Sequence, residues 1–227
     1  MASVNDEPIN GGFFGEFGAI LTGWALWSNF TLVEVPIMVW VNTSPLVKTY
    51  TPEEFWELPE PPDRSKLELI AGVLYMTPPP DYTHDIKVSR LNRTLTADLV
   101  AIGDKGTLYV PKAAIWTGPN TYLEPDLFYV SAELEATMDP AHRTTADLVI
   151  EVVSPGSAIY DRNTKADTYW ALGIKELWLV DDASRTIEVR YTGQQSFEVV
   201  GVFKTGDQVV SRVLPGLKLA VARIFEP

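Results

Sequence analysis

Glu124-Pro125-Asp126 leads into Leu127-Phe128-Tyr129-Val130. Glu151 lies within Leu148-Val149-Ile150-Glu151-Val152-Val153-Ser154-Pro155, and Lys165 closes Asp161-Arg162-Asn163-Thr164-Lys165. Two carboxylates and a lysine, carried on alternating strand and helix signals, suit metal-assisted phosphodiester hydrolysis. The acids ligate a hard cation such as Mg2+, and the lysine holds the attacking water or the charge that develops on the phosphoryl group. Glu151 is the most telling of the three, because a carboxylate inside a β-branched, apolar run is costly unless something pairs with it. Taken singly, each has an ordinary reading: Asp126 caps a turn, Glu151 meets a structural cation, and Lys165 sits on a solvated helix face. The order and spacing of the three together carry more weight than any one of them.

The elements around them must place these side chains at one end of a sheet. Thr51-Pro52-Glu53-Glu54-Phe55-Trp56 has an N-cap residue, a proline at the first helical position and acids in the first turn, so a short helix starts there. Prolines 59, 61 and 62 end it. Leu67 to Met76 reads as a β-hairpin turning at Ala71-Gly72, which puts Glu68 on a strand. A helix is expected from Thr83 to about Ile102, with His84, Val88, Leu91 and Leu95 on one face. His84 then stands at the end of that stripe nearest a sheet-edge site, as a site residue or as a buried or capping histidine.

Residues 107–116 and 122–130 read as successive strands around the turn Gly118-Pro119-Asn120, and residues 147–153 as a buried strand after a polar stretch with His142 and Arg143. A helix follows from about Ala158 to Leu172, closed by Gly173, with Asp161, Lys165 and Tyr169 four apart on one face. Ser154-Pro155-Gly156-Ser157 is read as the strand-to-helix turn with Ser157 as the cap, the alternative being a phosphate site at the N-terminus of that helix. Glu176 to Val180 is a further buried strand, and 185–191, 196–203 and 208–213 alternate like short antiparallel strands. Lys87, Arg90 and Arg93 either touch nucleic-acid phosphates or form a solvated helix face.

Composition narrows the chemistry. The chain has 227 residues, 46% of them hydrophobic, enough for a packed core. Its 18 basic and 30 acidic residues give a net charge of -12, which excludes a nucleic-acid binder working through a broad basic surface. With no cysteine and only His84 and His142, thiolate and multi-histidine metal sites are excluded, so any resident metal needs oxygen ligands, as Mg2+ or Mn2+ do.

The first 47 residues carry no Lys or Arg, and Phe17 to Val33 is uncharged over 17 residues. Without a basic n-region or flanking basic residues the run has the signature of neither a secretory signal nor a membrane span, and a cytoplasmic location is expected. Residues 1–45 are read as an appendage, with Met38 a candidate initiator. A weak membrane anchor, or a strand that adds to a partner, is the alternative. Residues 46–227 are read as a single α/β domain.

The segments Tyr50 to Phe55, Leu67 to Gly72, Thr83-His84, Glu124 to Asp126, Ile150 to Pro155, Asp161 to Tyr169 and Leu177 to Asp181 together resemble the Uma-two family of restriction endonuclease-like proteins. That family belongs to the PD-(D/E)XK nuclease-like superfamily. The resemblance implies a mixed central β-sheet flanked by helices, here with an extra antiparallel C-terminal β region, and a magnesium-dependent nuclease acting on DNA. It implies Asp126 and Glu151 as metal ligands, Glu68 as a further acid at the metal, and His84 as an auxiliary residue. Lys165 would be the lysine moved onto the following helix, because Val153 stands where the superfamily has it. The family often has an acid at the hairpin turn, where this chain has Ala71.

Three carboxylates within a few ångströms would raise one another's pKa unless a cation joined them, so Mg2+ or Mn2+ is the expected cofactor. The competing expectations are a binding module that keeps the fold without cutting and acts through a protein partner, and a nuclease directed at RNA. A homodimer joined through exposed tail strands would suit symmetric cutting of a duplex.

Overall fold

The computed structural model describes residues 47–118, 120–139 and 142–226. The appendage, its uncharged run and Met38 lie outside the described residues. Among the described residues, no helix is long and apolar enough to cross a membrane.

Thr51 caps α1 (Pro52–Trp56) through a complete capping box: its hydroxyl accepts from Glu54 N while the Glu54 carboxylate accepts from Thr51 N. The expected hairpin follows as β1 (Lys66–Ile70) and β2 (Val73–Thr77). Its two-residue turn needs left-handed backbone at both positions, and Ala71 (φ 48°) and Gly72 (φ 81°) supply it. Next comes α2 (Tyr82–Ile102), capped by Asp81 and ended by left-handed Gly103. It buries Val88, Leu91 and Leu95 of the expected stripe, and Leu99 beyond it.

Each of the two long strands expected at 107–116 and 122–130 is divided in two: β3 (Thr107–Tyr109) and β4 (Ile115–Thr117), then β5 (Thr121–Leu123) and β6 (Leu127–Val130). Both breaks fall at a proline, Pro111 and Pro125, which has no N–H to continue a ladder. Left-handed Lys112 (φ 77°) turns the chain at the first break.

The divided hairpin therefore runs through two sheets. Among the described residues one sheet has the order β2-β1-β5-β4. The other joins β3 and β6 to β7 (Leu148–Val153), β8 (Glu176–Asp181), β9 (Thr186–Thr192) and β10 (Phe197–Lys204) in the order β10-β9-β8-β7-β6-β3. Glu124-Pro125-Asp126 is the crossing point between them.

The larger sheet is mixed. β7 (Leu148–Val153) pairs antiparallel with β6 but parallel with β8 (Glu176–Asp181), and the parallel step is spanned by a helical crossover. That crossover is not the uniform helix expected from the sequence. α4 (Ala158–Tyr160) passes through a π-helical turn (Asp161–Lys165) into α5 (Ala166–Ala171). Such wide turns inside helices occur often at functional sites. Ser157 does not cap the helix with its side chain, contrary to expectation; its hydroxyl turns back to Ser154 Oγ at 3.0 Å. A short helix, α3 (Ala132–Glu135), occupies part of the stretch read as merely polar.

All six residues of β7 are buried, so both sheet faces are covered. Leu148, Ile150 and Val152 pack with the apolar stripe of α2. Val149 and Val153 pack on the opposite face with Ala166 and Tyr169 of α5. Strand alternation puts Glu151 on that second face, under the helix that carries Lys165.

Of the tail strands, β9 (Thr186–Thr192) and β10 (Phe197–Lys204) extend the central sheet. β11 (Gln208–Val210) instead pairs with β12 (Lys218–Ala220), a strand the alternation did not reveal, ahead of α6 (Ala222–Phe225). β11 ends at Val210 because the next three residues are held by Glu176. This fully buried carboxylate accepts from Trp178 Nε1 (2.6 Å), Ser211 Oγ (3.1 Å), Arg212 N (2.9 Å) and Val213 N (3.1 Å). Glu176→Ala strips four donors of one acceptor, so a stability loss of roughly 3–5 kcal/mol is expected in urea titrations. A loss below about 1 kcal/mol, the worth of an ordinary hydrogen bond, would show that solvent takes over its role.

Candidate active site

β6 and β7 run antiparallel in a register that pairs Leu127 with Ile150. One step further the register sets Asp126 opposite Glu151, with both side chains on the same face. The two are laced together: Asp126 N donates to Glu151 Oε2 at 3.4 Å, and Val152 N donates to Asp126 Oδ2 at 2.8 Å. Glu68 arrives from β1 in the other sheet, where its Oε1 accepts from Glu124 N at 2.9 Å. The acids thus meet where the chain crosses between sheets.

Lys165 descends from the π-helical turn into their midst. Its Nζ lies 2.5 Å from Glu151 Oε1, 3.4 Å from Glu68 Oε1 and 3.9 Å from Asp161 Oδ1. Tyr169, a turn further along the same helix, donates to Glu151 Oε1 at 2.5 Å. Glu68 is further held by Tyr160, whose hydroxyl donates to its Oε2 at 3.2 Å and whose ring stacks on Tyr75 at 4.9 Å. His84, at the start of α2, places Nε2 3.0 Å from Asp126 Oδ2.

The structure therefore brings together every expected site residue: Glu68, His84, Asp126, Glu151 and Lys165. It adds four that sequence reasoning did not assign to the site. Tyr169 was visible as sharing a helical face with Lys165, and Asp161 likewise. Lys66 and Tyr160 gave no signal, since their roles depend on contacts 58 and 92 residues away in the chain.

Lys87 is corrected. It is not a solvated helix-face residue, because it is buried and paired with Asp182 at 2.8 Å. Arg90 donates to Ile224 O at 3.1 Å, which ties α2 to α6.

Electrostatics separates the two central acids. Burial raises the Asp126 carboxyl, but the bond from His84 and the charges of Lys66, His84 and Lys165 outweigh it and hold the group at about 2. Burial likewise raises Glu151; here Lys165 offsets it only in part and the charges of Asp126 and Asp161 add to it, so the group stands at about 7. Burial works against the charge on Lys165, yet Glu151 and Glu68 hold its pKa well above the ordinary lysine value. His84 is raised too, because the Asp126 contact outweighs burial.

The raised Glu151 sets a direction for stability. A carboxyl that binds its proton more tightly when folded contributes stability below the unfolded value of 4.5, and loses it as pH rises toward 7. In a chelating buffer the unfolding free energy is expected to fall across that window, by up to about 3 kcal/mol. The decline should be smaller in Glu151→Gln. Denaturant titrations at both ends of the window check this, and an equal decline in the variant would assign the effect elsewhere.

Glu68, Asp126, Glu151, Asp161, Lys66 and Lys165 all line one cleft of about 80 Å3, together with His84, Ser154 and Ser157. Four carboxylates against two lysines form a donor set suited to a hard divalent cation. Among the described residues, however, no three His, Asp or Glu side chains are gathered so as to hold a metal ion by themselves. Glu68 is turned toward Lys165, Tyr160 and Glu124 N, which occupy both its oxygens. Glu151 is engaged in the same way, Oε1 by Lys165 and Tyr169 and Oε2 by Asp126 N, so a cation held by Asp126 and Glu151 would compete with those donors and be completed by water and substrate oxygens.

Comparison with known proteins bears on these residues at the level of family and fold. The model of the family Uma2, described as "Putative restriction endonuclease", matches residues 52–222. Among solved structures, that of a putative nuclease belonging to DUF820 from Anabaena variabilis is similar with a TM-score of 0.61 at 20% identity. The likeness covers 77% of this chain and 97% of that one, and at this identity it carries the fold alone. No curated protein matches the chain.

Proposed function

We propose, since the chain belongs to the Uma2 family of putative restriction endonucleases, that it is a nuclease hydrolysing phosphodiester bonds in DNA with Mg2+ or Mn2+ in the cleft. The observation that carries this reading is the meeting of Asp126, Glu151 and Lys165, drawn from three different elements, at the junction of the two sheets.

Asp126 and Glu151 would hold the cation, which when bound would lower the pKa of a water and neutralise charge on the phosphate. His84 keeps Asp126 ionised and oriented through its Oδ2. Lys165 remains protonated, so it serves as a hydrogen-bond donor to the water or to the phosphoryl oxygens and not as a base. Tyr169 and Lys165 both claim Glu151 Oε1, which leaves Oε2 as the oxygen facing Asp126. Glu68 acts as the acid that positions Lys165 from its other side. This assignment moves it from the third metal acid implied by the resemblance.

The test is incubation of the purified protein with supercoiled, linear and single-stranded DNA and with RNA, in Mg2+, in Mn2+ and in EDTA. Cleavage of DNA that requires the metal is the expected result. Cleavage confined to RNA would change the substrate class. Absence of cutting on every substrate would leave a binding module on a nuclease fold.

A further inference from the structure

Lys66, His84 and Lys165 are the side chains lining the cleft that can carry positive charge, and two of them are committed to its acids. Lys165 is surrounded by Glu151, Glu68 and Asp161, and its side chain is 3% exposed. His84 is turned onto Asp126 at 3.0 Å and is 13% exposed. Lys66 differs on both counts. Its side chain is 24% exposed, and its one ion-pair partner among the described residues is Glu68 Oε1, at a loose 3.6 Å. That oxygen already accepts from Glu124 N at 2.9 Å and lies 3.4 Å from Lys165. The close contact of the Lys66 ammonium is instead an uncharged group, the carbonyl of Glu124.

The strand explains this position. Lys66 opens β1 two residues before Glu68, so the two side chains leave the same face. Across the hairpin Lys66 pairs with Thr77, which also lines the cleft, whereas Glu68 pairs with Tyr75, nearer the turn. Glu68 is buried and Lys66 is not, so Lys66 is the cation on the open side of the cleft.

Charge and donor count say what it can meet there. Four carboxylates and two lysines line the cleft, so a divalent cation would bring the lining close to neutrality. Without Lys66 one negative charge would remain to repel an anionic phosphodiester. A space of about 80 Å3 takes a cation with a few waters or a phosphoryl group. An ammonium has three N–H donors. The Glu124 carbonyl and Glu68 engage two of them at most, which leaves one for an incoming oxygen.

We infer that Lys66 is a substrate-binding residue, donating to a non-bridging oxygen of the phosphate that enters the cleft. This deepens the nuclease reading and rests on it for the identity of the substrate. It concerns a single ionic contact, however, so binding reads it apart from turnover.

Fluorescence anisotropy with a short labelled DNA, single-stranded and duplex, titrated with salt in the presence of Ca2+, provides the test. Lys66→Gln is expected to weaken binding about tenfold, the worth of one charge-assisted hydrogen bond. It should also flatten the dependence of log affinity on log salt by about 0.7 for the single strand and about 0.9 for the duplex, the loss of one phosphate contact. Lys66→Arg should keep the slope. Calorimetry with Ca2+ alone separates this from a structural role: a phosphate ligand leaves cation affinity no weaker in Lys66→Gln, whereas damage to the junction at Glu124 lowers it together with DNA affinity. An unchanged salt slope in Lys66→Gln would overturn the inference, as would a slope lost equally in Lys66→Arg, a parallel loss of Ca2+ binding, or no binding of either DNA by the unaltered chain. Binding that depends on Lys66 without cleavage in Mg2+ or Mn2+ would sink the nuclease reading and uphold this one. Metal-dependent cleavage with a salt slope indifferent to Lys66 would do the reverse.

Discussion

Replacing Lys165 by Met is expected to lower the unfolding free energy by about 3–5 kcal/mol, a large effect for a single side chain. Its side chain is 3% exposed, and its ammonium lies within ion-pair distance of Glu151, Glu68 and Asp161. Removing it leaves three buried acids facing one another. Their answer is to take up protons, so the loss should grow as pH rises. The variant should be most nearly normal in mild acid, where Glu151 is neutral. Adding Glu151→Gln should return part of the lost stability, because the double variant buries one charge fewer. Urea titration of the single and double variants forms a cycle that isolates the pair. Strictly additive losses would mean that the 2.5 Å contact contributes nothing to the coupling. Activity should fall in the same variant, but stability makes the test independent of any substrate.

Asp126→Asn is expected to have the largest effect on chemistry. The carboxylate is held ionised at about 2, so it is available to a cation at any working pH. Asparagine keeps an acceptor for Val152 N but loses the charge. Loss of metal binding by calorimetry and a fall in metal-dependent cleavage of roughly 1000-fold are expected, since a bound metal is worth several kcal/mol of transition-state stabilisation. Some stability should be lost as well, about 2 kcal/mol. That part follows from the depressed pKa: it is present above 3.8 and disappears as pH falls through 2. Undiminished Mg2+ binding in a folded Asp126→Asn protein would remove Asp126 from the metal site and leave it a structural partner of His84 and Val152.

Much of this arrangement was legible in the chain because the signals are local. The capping box at Thr51 and Glu54, the Ala71-Gly72 turn, the stripe of α2 and the β-branched run around Glu151 each declare an element within a few residues. Alternation in β7 also placed Glu151 on one definite face. What proved misleading was local too. Residues 107–116 and 122–130 have continuous strand character, yet Pro111 and Pro125 divide them between two sheets. Lys87 has the polarity of a surface residue, yet it is buried against Asp182.

By itself, then, the sequence determined the elements, the ordered series of acids and lysine, and the need of Glu151 for a partner. Only the tertiary structure decided who that partner is. Lys165 reaches Glu151 because the crossover helix widens to a π turn over the face that Glu151 shares with Val149 and Val153. Glu68 reaches Lys165 because a divided hairpin passes from one sheet into the other at Pro125. Those contacts join residues far apart in the chain, and their free energy depends on which element covers which face. Periodicity and turn propensity, which act over a few residues, do not carry that information.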